Sequence, residues 1–454
     1  MRQSKTVEPM DRRQFLTKTG RTALGIAAGA TVLRPGTRAV AANEKFVVGL
    51  MGVRGRGVEL VQQLVKRRDV EIAYLCDVDS NVFGESSKVA SEGLGKTPKN
   101  IGDFRKILDD KSVDVLFNAT PDHWHALPTI LACQAGKDVY VEKPASSCIW
   151  EGRKMVEASR KYRRIVQMGD QTRSAPYAQA GIEHIRSGKL GDVHLVRVLN
   201  MKLRPSIGHK PDGPVPAGVD YDMWLGQAPA RPFNPNRFHY AWHWFWDYSG
   251  GDIINDGIHQ IDLARWVVGQ DYPDSAVCTG MKTFDDDQET PDTQSVQYAF
   301  KNLTMVFECA LWTPYEKKTT DAERNGDVFP AWMFNSTRVE VYGTKGLMMF
   351  GRQGDGWQVY GADGKVAAEN KGKDPVPAHI DNFFACVKSR QQPNADIESG
   401  HLSTVLAHLG NISYRLGGRR VIYDGTGERF VSDEQANQYV RRASRTPWNV
   451  PDRV

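Results

Sequence analysis

The sequence predicts an α/β protein in two parts: a doubly wound parallel sheet first, then an α+β domain with a large, mainly antiparallel open sheet. Three observations favour this fold class. Short β-branched runs alternate with helical patterns between residues 45 and 142. A glycine-rich turn directly follows the first of those runs. Beyond residue 190, strand-like runs succeed one another with few helices between them.

The first half alternates strands with helices, which is typical of βαβ units and a parallel sheet. In such sheets, ligands bind beyond the carboxyl ends of the strands. The predicted strands are Phe46–Met51, Val70–Val78, Val113–Thr120 and Asp138–Glu142, and the predicted helices are Gly57–Lys66 and Leu127–Gln134.

A glycine-rich turn joins the first predicted strand to the first helix, where backbone N–H groups and a helix N-terminus favour a dinucleotide's pyrophosphate. Gly52 and Gly57 fit the G-x-G-x-x-G spacing, but Arg54 takes the place of the middle glycine. The turn alone is a weak signal, because such turns also serve tight packing. We predict that the cofactor contacts Gly52, Val53, Arg54, Gly55 and Gly57.

Asp77 ends the second predicted strand, twenty residues after Gly57. A carboxylate at that place accepts hydrogen bonds from the ribose hydroxyls of NAD and repels the 2′-phosphate of NADP. The alternative is a helix N-cap, which is compatible with the same role. Because Arg54 could reach a phosphate, NAD is expected and NADP is less favoured.

The second half reads as consecutive strands that form one sheet with a broad face. Two helix-like segments, residues 378–390 and 399–417, are expected to pack back near the first domain. Residues 316–327 are polar and rich in breakers, which predicts a mobile loop. The predicted strands are His194–Met201, Ser275–Phe284, Thr293–Phe300, Thr304–Trp312 and Arg338–Tyr342.

The formal net charge of +5 belongs to one segment, since residues 1–41 carry +6 and the remaining 413 residues carry −1. A nucleic-acid partner is therefore not expected. The segment has a basic zone with Arg12-Arg13, an apolar stretch and a small-residue site at residues 39–41. It resembles a twin-arginine signal, which predicts passage through the twin-arginine machinery to the periplasm. The alternative is a basic tail on a cytosolic protein, and no later run predicts a stable membrane anchor.

The six cysteines form no C-x-x-C pair, and we expect them to be reduced thiols in the core. A metal site is not expected either. The histidine spacings H-x-H and H-x-x-x-H lack a matching carboxylate or cysteine context. The histidines concerned are His123, His125, His239 and His243.

Motifs at the ends of the later strands give the strongest indication of a family. Together with the glycine turn, they resemble the Gfo/Idh/MocA oxidoreductases, the glucose-fructose oxidoreductase and inositol dehydrogenase family. The order of the motifs along nearly all of the mature chain carries the match. The motifs are Asn118-Ala119-Thr120-Pro121-Asp122-His123-Trp124-His125, Glu142-Lys143-Pro144, the stretch from Gly250 to Asp262, and Gly343-Thr344-Lys345-Gly346.

The resemblance implies that Lys143 lies by the nicotinamide and hydrogen-bonds the reacting hydroxyl, and that His259 is the general acid/base. A histidine with a pKa near the working pH suits proton transfer, and a lysine favours a developing alkoxide. Family members usually have an aspartate one turn before the histidine, but here Asn255 stands there with Asp256 beside it. Asparagine cannot take a proton, so His259 ranks above Asp256 as the proton carrier.

The remaining predicted site residues fall into a cofactor group and a substrate group. Aromatic faces stack on the C–H faces of sugars, which predicts substrate contacts in the aromatic stretch 238–248; the alternative is an aromatic core or a subunit interface. The predicted cofactor contacts are Thr120, Pro121, Trp124, His125, Glu142, Lys143 and Gln171, and the predicted substrate contacts are Trp242, His243, Trp244 and Arg173.

The predicted domains are a signal peptide (1–41), an NAD-binding Rossmann domain (42–165) and an α+β domain (166–454) that binds substrate and makes a homo-oligomer, a dimer or tetramer. The expected activity is oxidoreduction of a sugar or cyclitol. Because free NAD is scarce outside the cytosol, export favours a tightly held cofactor in a redox-neutral cycle. The alternatives are an NAD-dependent glycosidase that uses transient oxidation and a non-catalytic protein that binds NAD or sugar.

Overall fold

The structure, a computed structural model, describes residues 45–454. The predicted export signal lies outside the described residues. Within residues 45–454, no helix combines the length and the apolar character that crossing a bilayer requires.

The first sheet of the described chain has six parallel strands in the order β3-β2-β1-β4-β5-β6. This is a doubly wound order, with the first strand at the centre. The strands are β1 (Phe46–Met51), β2 (Val70–Cys76), β3 (Lys99–Ile101), β4 (Val115–Asn118), β5 (Asp138–Val141) and β6 (Val166–Met168). The helices are α1 (Arg56–Leu64), α2 (Phe83–Leu94), α3 (Arg105–Asp109), α4 (Ala126–Gln134) and α5 (Ile149–Tyr162).

The second sheet has ten strands in the described chain, in the order β14-β13-β12-β11-β7-β10-β9-β8-β15-β16. All of its pairs are antiparallel except β7 with β10, which confirms a mainly antiparallel sheet. The strands are β7 (Val193–Met201), β8 (Ser275–Met281), β9 (Thr293–Ala299), β10 (Thr304–Ala310), β11 (Arg338–Gly343), β12 (Gly346–Gly351), β13 (Trp357–Tyr360), β14 (Val366–Asn370), β15 (Val421–Asp424) and β16 (Arg429–Phe430).

Helices of the second half cover one face of this sheet and fill the space between the two sheets. Ile258 and Ile261 belong to its buried core together with strand residues such as Val196 and Phe307. The helices are α6 (Pro176–Arg186), α7 (Tyr221–Leu225), α8 (Ile258–Val268), α9 (Asp321–Asn325), α10 (Val376–Ser389), α11 (Ile397–Arg415) and α12 (Glu434–Asn437).

Late helices return to the first domain, as the sequence predicts. Phe383 and Phe384 of α10 pack into the core formed by β1 and α1, and Phe384 lies 5.0 Å from the ring of Phe46. The parallel sheet also extends past residue 165, the predicted boundary, because β6 pairs with β5. The two parts of the described chain therefore share packed elements at the cleft between them.

The six cysteines are all buried and all free, as predicted. Burial raises the pKa of Cys278 to about 11 and that of Cys148 to about 12. These thiols stay protonated and unreactive at neutral pH, which suits a role in packing.

Candidate active site

A cavity of about 820 Å³ lies beyond the carboxyl ends of the parallel strands and reaches into the second domain. Ligands of doubly wound folds occupy this place, and the volume suits a dinucleotide with a small substrate beside it. Of the residues predicted from the sequence, those that line the cavity are Gly52, Arg54, Gly55, Asp77, Thr120, Pro121, Trp124, Glu142, Lys143, Gln171, Trp242, His243, Asn255 and His259.

The glycine turn forms one end of the cavity. Gly52 has a φ of +76°, and a Cβ built on it would lie 2.5 Å from the carbonyl oxygen of Ala119. Gly57 packs as closely, since its Cβ would lie 1.9 Å from the carbonyl oxygen of Gly52. The N–H groups of Arg54 and Gly55 have no hydrogen-bond acceptor among the described residues. Backbone donors ahead of α1 are thus left for a ligand.

Replacing Gly52 by alanine is expected to lower the free energy of unfolding by about 2–4 kcal/mol, because strain at positive φ adds to a backbone clash. Gly55 is the matched control: its φ is +50°, but a Cβ there meets nothing within 4 Å. Gly55→Ala should cost only about 1 kcal/mol. Urea unfolding of both variants checks this, and equal losses would contradict the close-approach account of Gly52.

Asp77 is tied to the glycine turn from the end of β2. Its carboxylate accepts hydrogen bonds from the N–H of Val53 at 3.1 Å and the N–H of Asp79 at 3.1 Å. Burial raises the pKa of Asp77 despite these donors. Val53 itself is fully buried and does not line the cavity, so its contribution to the site is this hydrogen bond.

Glu142, at the end of β5, is held in an ion pair. Burial alone would raise the pKa of Glu142, but the nearby Arg56 guanidinium lowers it, with Nε 2.7 Å from Oε1. Gln171 donates to the hydroxyl of Tyr140 at 3.2 Å and to the carbonyl of Gly169 at 2.9 Å. Glu142 therefore stays ionised, and its ion pair with Arg56 holds the backbone next to Lys143 in position.

The loop after β4 is braced by Asn118, whose amide donates to the carbonyl of Trp124 at 3.0 Å and whose oxygen accepts from the Thr120 hydroxyl at 2.6 Å. Both ring nitrogens of His125 face carbonyl oxygens, those of Pro144 at 2.6 Å and Thr120 at 2.9 Å. His125 does not line the cavity. The structure gives it a bracing position behind the wall that Thr120 and Trp124 form.

Lys143 crosses the cleft between the domains. Its ammonium group donates to the carbonyl oxygen of Asn255 at 2.6 Å and lies 3.4 Å from the Asn255 side-chain oxygen. Asn255 belongs to a π-helical turn, Ile253–Gly257, that precedes α8. Such turns are frequent at functional sites because they redirect side chains. Lys143 and Asn255 thus lie together on one wall.

His259 projects into the same region from the first turn of α8. Burial lowers the pKa of His259 well below 6.5, and the charges of Arg352 and Lys143 lower it further. Its Nδ1 lies 3.4 Å from a carboxylate oxygen of Asp170, which follows β6 and is fully buried. The neutral imidazole therefore has Nδ1 toward Asp170 and Nε2 left for the cavity.

Asp170 is a buried acid, and within residues 45–454 its ion-pair contact is with His259 rather than with a lysine or arginine. Burial raises its pKa well above 3.8, and the negative charge of Asp262 raises it further. Its second oxygen has no hydrogen-bond partner among the described residues. Asp170 therefore places a carboxyl group 3.4 Å from Nδ1 of His259, where its ionised form supplies a counter-charge to a protonated imidazole.

Asp170→Asn is expected to lower kcat by about 10- to 100-fold and to move the acidic limb of the pH profile of kcat/KM to lower pH. Without the carboxylate, the imidazolium of His259 loses its stabilising charge, so the histidine pKa falls further. Measurement of kcat/KM across pH, with unfolding as a control for stability, checks this. A lower rate with an unmoved acidic limb would reduce Asp170 to a structural role.

Asp256 lies in a buried cluster of charged side chains. Burial opposes its ionisation, but Arg352, Lys202 and Lys318 hold the pKa of Asp256 well below 3.8. Its oxygens lie 2.6 Å from Arg352 and 2.6 Å from Lys318, and Lys202 is also in direct contact. Asp256 does not line the cavity, and its permanent charge makes it a poor proton acceptor.

The aromatic stretch contributes Trp242 and His243 to the cavity, and their rings stack 3.6 Å apart. The His243 Nδ1–H donates to the carbonyl of Tyr240, and burial lowers the pKa of His243 to about 3. The second ring nitrogen, Nε2, is therefore left as a hydrogen-bond acceptor. Trp244 is buried behind Tyr240, with ring centres 5.6 Å apart, and does not line the cavity.

Arg173 lies outside the cavity wall. Its guanidinium forms two hydrogen bonds with the carboxylate of Asp262, at 2.7 and 2.8 Å, and both side chains are buried. The predicted substrate contact would require breaking this pair. Arg173 instead ties the segment after β6 to α8, the two elements that carry Asp170 and His259.

Residues that the sequence did not single out complete the site. Asp122 lines the cavity, accepts from the Ser249 hydroxyl at 2.5 Å, and has a pKa that burial raises. Gln353 also lines it and has a φ of +55°, an unusual conformation for a residue with a side chain. Asp122 stands inside the motif after β4, so its position was visible but its environment was not.

No three His, Cys, Asp or Glu side chains within residues 45–454 are grouped as a metal site would require.

The fold, the glycine turn and the cavity wall with Lys143 and His259 define a protein of the nicotinamide-dependent oxidoreductase class. Two family models match the chain: "Oxidoreductase family, NAD-binding Rossmann fold" at residues 46–170, and "Oxidoreductase family, C-terminal alpha/beta domain" at residues 206–310 and 357–450. The chain belongs to the Gfo/Idh/MocA family.

One curated relative is a glycosyl hydrolase family 109 protein of Stenotrophomonas maltophilia, which is 32% identical over 139 residues, 29% of this chain and 29% of that protein. The chain spans less than two thirds of the length of the curated relatives it first matches.

Two solved structures share the fold over most of their length. The WlbA dehydrogenase of Bordetella pertussis in complex with NADH and UDP-GlcNAcA has a TM-score of 0.60 and 20% identity, over 84% of this chain and 99% of that one. The aldose-aldose oxidoreductase of Caulobacter crescentus complexed with glycerol has a TM-score of 0.61 and 19% identity, over 84% and 100%.

Proposed function

We propose that this protein oxidises a secondary alcohol of a sugar, cyclitol or sugar derivative with a nicotinamide cofactor, NAD rather than NADP. The observation that carries the proposal is that Lys143 and His259 both line one cavity, whose volume suits a dinucleotide. The WlbA dehydrogenase, whose fold is similar and whose structure contains NADH and UDP-GlcNAcA, supports both the cofactor class and a sugar-like substrate.

The residues present fit NAD. The glycine turn is a cradle that a Cβ at Gly52 would fill, and the free N–H groups of Arg54 and Gly55 suit a pyrophosphate. Asp77 lies at the cavity where ribose hydroxyls would donate to it. When bound there, the nicotinamide supplies a hydride acceptor for the carbinol carbon.

The protein's own residues position and deprotonate the alcohol. The Lys143 ammonium group donates to the substrate oxygen and favours its negative charge, while Asn255 holds that ammonium in place. His259, neutral at working pH, accepts the hydroxyl proton at Nε2. Asp170 faces Nδ1 and stabilises the protonated ring, so proton removal does not leave an isolated buried charge.

We further propose a retained cofactor and a redox-neutral cycle in the periplasm. The basic, apolar and small-residue zones of residues 1–41 support export. An exported enzyme with a bound nucleotide must return its electrons within each cycle, as exchange between two sugars would do. The aldose-aldose oxidoreductase among the structural neighbours supports such a cycle. We also propose a homo-oligomer, with the ten-stranded sheet as the surface between subunits.

A second candidate is glycoside cleavage by transient oxidation. Oxidation of one hydroxyl to a ketone acidifies the neighbouring C–H, so the glycosidic oxygen can leave by elimination. Water then adds to the carbon–carbon double bond, and the hydride held by the nucleotide reduces the ketone and restores the sugar. The family 109 glycosyl hydrolase among the relatives favours this reading. An aryl glycoside releases its phenol only under this reading, whereas sugar-to-sugar exchange leaves the phenol attached.

The test is the purified mature chain without added nucleotide. We expect acid to release NAD in a near-stoichiometric amount, and we expect absorbance at about 340 nm to rise when a suitable sugar is added. A nucleotide-free protein whose spectrum responds to no sugar, with or without added NAD, would overturn the proposed function. Release of NADP would overturn the cofactor assignment alone.

A further inference from the structure

A cluster of charged side chains backs the substrate end of the cavity. We call it the basic cluster; it consists of Lys202, Arg204, Lys318 and Arg352 around the carboxylates Asp252 and Asp256. Four cations thus meet two anions. The excess of positive charge lies on the side of the site that Asn255 and His259 form, and Lys143 adds to it.

The contacts show that each carboxylate of the cluster is shared by at least two cations. Lys202 lies 3.1 Å from Asp252 and also contacts Asp256, and Arg204 Nε lies 2.7 Å from an oxygen of Asp252. Arg352, with its side chain 1% exposed, lies 2.6 Å from Asp256. Unbalanced buried charge is costly, so a site with this arrangement gains when an anion enters.

Arg204 and Lys318 are the cluster cations with the most exposed side chains, 17% and 38%, and both lie behind the residues that line the cavity. Arg204 donates to the hydroxyl of Tyr240 at 2.7 Å, and Tyr240 lines the cavity. Lys318 has 38% of its side chain exposed, although its ammonium group is enclosed enough that desolvation lowers its pKa to about 7, and Arg352 and Lys202 act in the same direction. The same excess charge acts on His259.

We infer that the substrate of the proposed oxidoreductase carries an oxyanion, a carboxylate or a phosphate ester, which the basic cluster binds through Lys318 and Arg204. This inference rests on the proposed function and names its substrate class. Two acids lie near the proposed anion site. Asp122 lines the cavity and has a pKa that burial raises, which favours its neutral form, whereas Asp256 does not line the cavity and is paired with cations.

The test is calorimetric binding to protein saturated with NAD, using matched pairs of probes: D-glucuronate with D-glucose, D-galacturonate with D-galactose, and D-glucose 6-phosphate. We expect at least one anionic probe to bind about tenfold more tightly than its neutral parent. A preference confined to the phosphate identifies an ester as the anion, and one confined to a uronate identifies a carboxylate.

Variants assign the preference to the cluster. Lys318→Gln and Arg204→Gln should each weaken binding of the favoured anionic probe by about tenfold and leave binding of its neutral parent unchanged. Lys318→Arg should retain the preference for the anion. Lys317→Gln is the control, since the adjacent Lys317 side chain is exposed and outside the cluster. Equal binding of anionic and neutral probes, or a preference that survives both glutamine variants, would overturn the inference.

Failure of this inference is distinguishable from failure of the proposed function. Reduction of bound nucleotide by neutral sugars, without any anion preference, would refute the anionic subsite alone. Tight binding of an anionic probe, without nucleotide reduction by any carbohydrate, would refute the oxidoreductase proposal and leave the anion site standing.

Discussion

Lys143→Ala is expected to lower kcat/KM by about 10³-fold, because the variant loses both a hydrogen bond to the reacting oxygen and the charge that favours the alkoxide. The structure places this ammonium group 2.6 Å from the Asn255 carbonyl, on the cavity wall. Steady-state kinetics on the substrate that the sugar screen identifies would measure the loss.

The control for this variant is nucleotide content. Lys143→Ala should still release NAD on acid treatment, because the cradle at the glycine turn is untouched. Lys143→Arg should recover a small part of the activity, since the charge remains but the planar guanidinium fits differently. Turnover by Lys143→Ala at the normal rate would remove Lys143 from the proposed site.

His259→Asn has the second large expected effect, a loss of about 10³-fold in kcat, because the asparagine keeps a polar side chain but cannot carry the proton. Since burial holds the pKa of His259 well below 6.5, the histidine of the normal enzyme is neutral at pH 6.5. The kcat of the normal enzyme should therefore show no ionisation of His259 itself near that value.

The variant's residual rate provides the check. The kcat of His259→Asn should depend on hydroxide and rise about tenfold per pH unit over the range in which the kcat of the normal enzyme is constant. Added imidazole should restore part of the variant's kcat. Asp256→Asn is the comparison, because Asp256 is paired with cations and does not line the cavity. If Asp256→Asn lost more kcat than His259→Asn, the assignment of the proton carrier would be wrong.

The sequence predicted the architecture closely where hydrophobic periodicity was strong. Strand Phe46–Met51 matches the structure at both ends, and Arg338–Tyr342 differs from β11 by one residue. Shorter strands escaped prediction: β3 is a three-residue edge strand with two exposed residues, and β6 has only three residues. Such segments are specified by pairing with neighbours, which a single sequence does not display.

The site was predictable in part for the same reason. Residues that follow strands, such as Asp77 and Glu142, or that stand in motifs, such as Lys143 and His259, line the cavity. What escaped were contacts across long sequence separations. Asp170 meets His259 from 89 residues away.

Two predicted roles depend on partners that the sequence hides. Arg173 forms an ion pair with Asp262, and both ring nitrogens of His125 lie at hydrogen-bond distance from carbonyl oxygens. Nothing in the local pattern distinguishes an arginine that faces a ligand from one that braces two elements, because both are buried and polar. Asp256 is a further example, since its four cationic neighbours lie between residues 202 and 352.

The most direct test of the central claim, that the wall of Lys143 and His259 oxidises an alcohol against a retained nucleotide, is a single-turnover experiment. Holoprotein without free NAD is mixed with substrate, and absorbance at about 340 nm is followed with time. We predict a rise and then a fall as the cycle closes, with the rise slowed when deuterium replaces hydrogen at the carbinol carbon. Product formation with no transient absorbance and no isotope effect would contradict the claim.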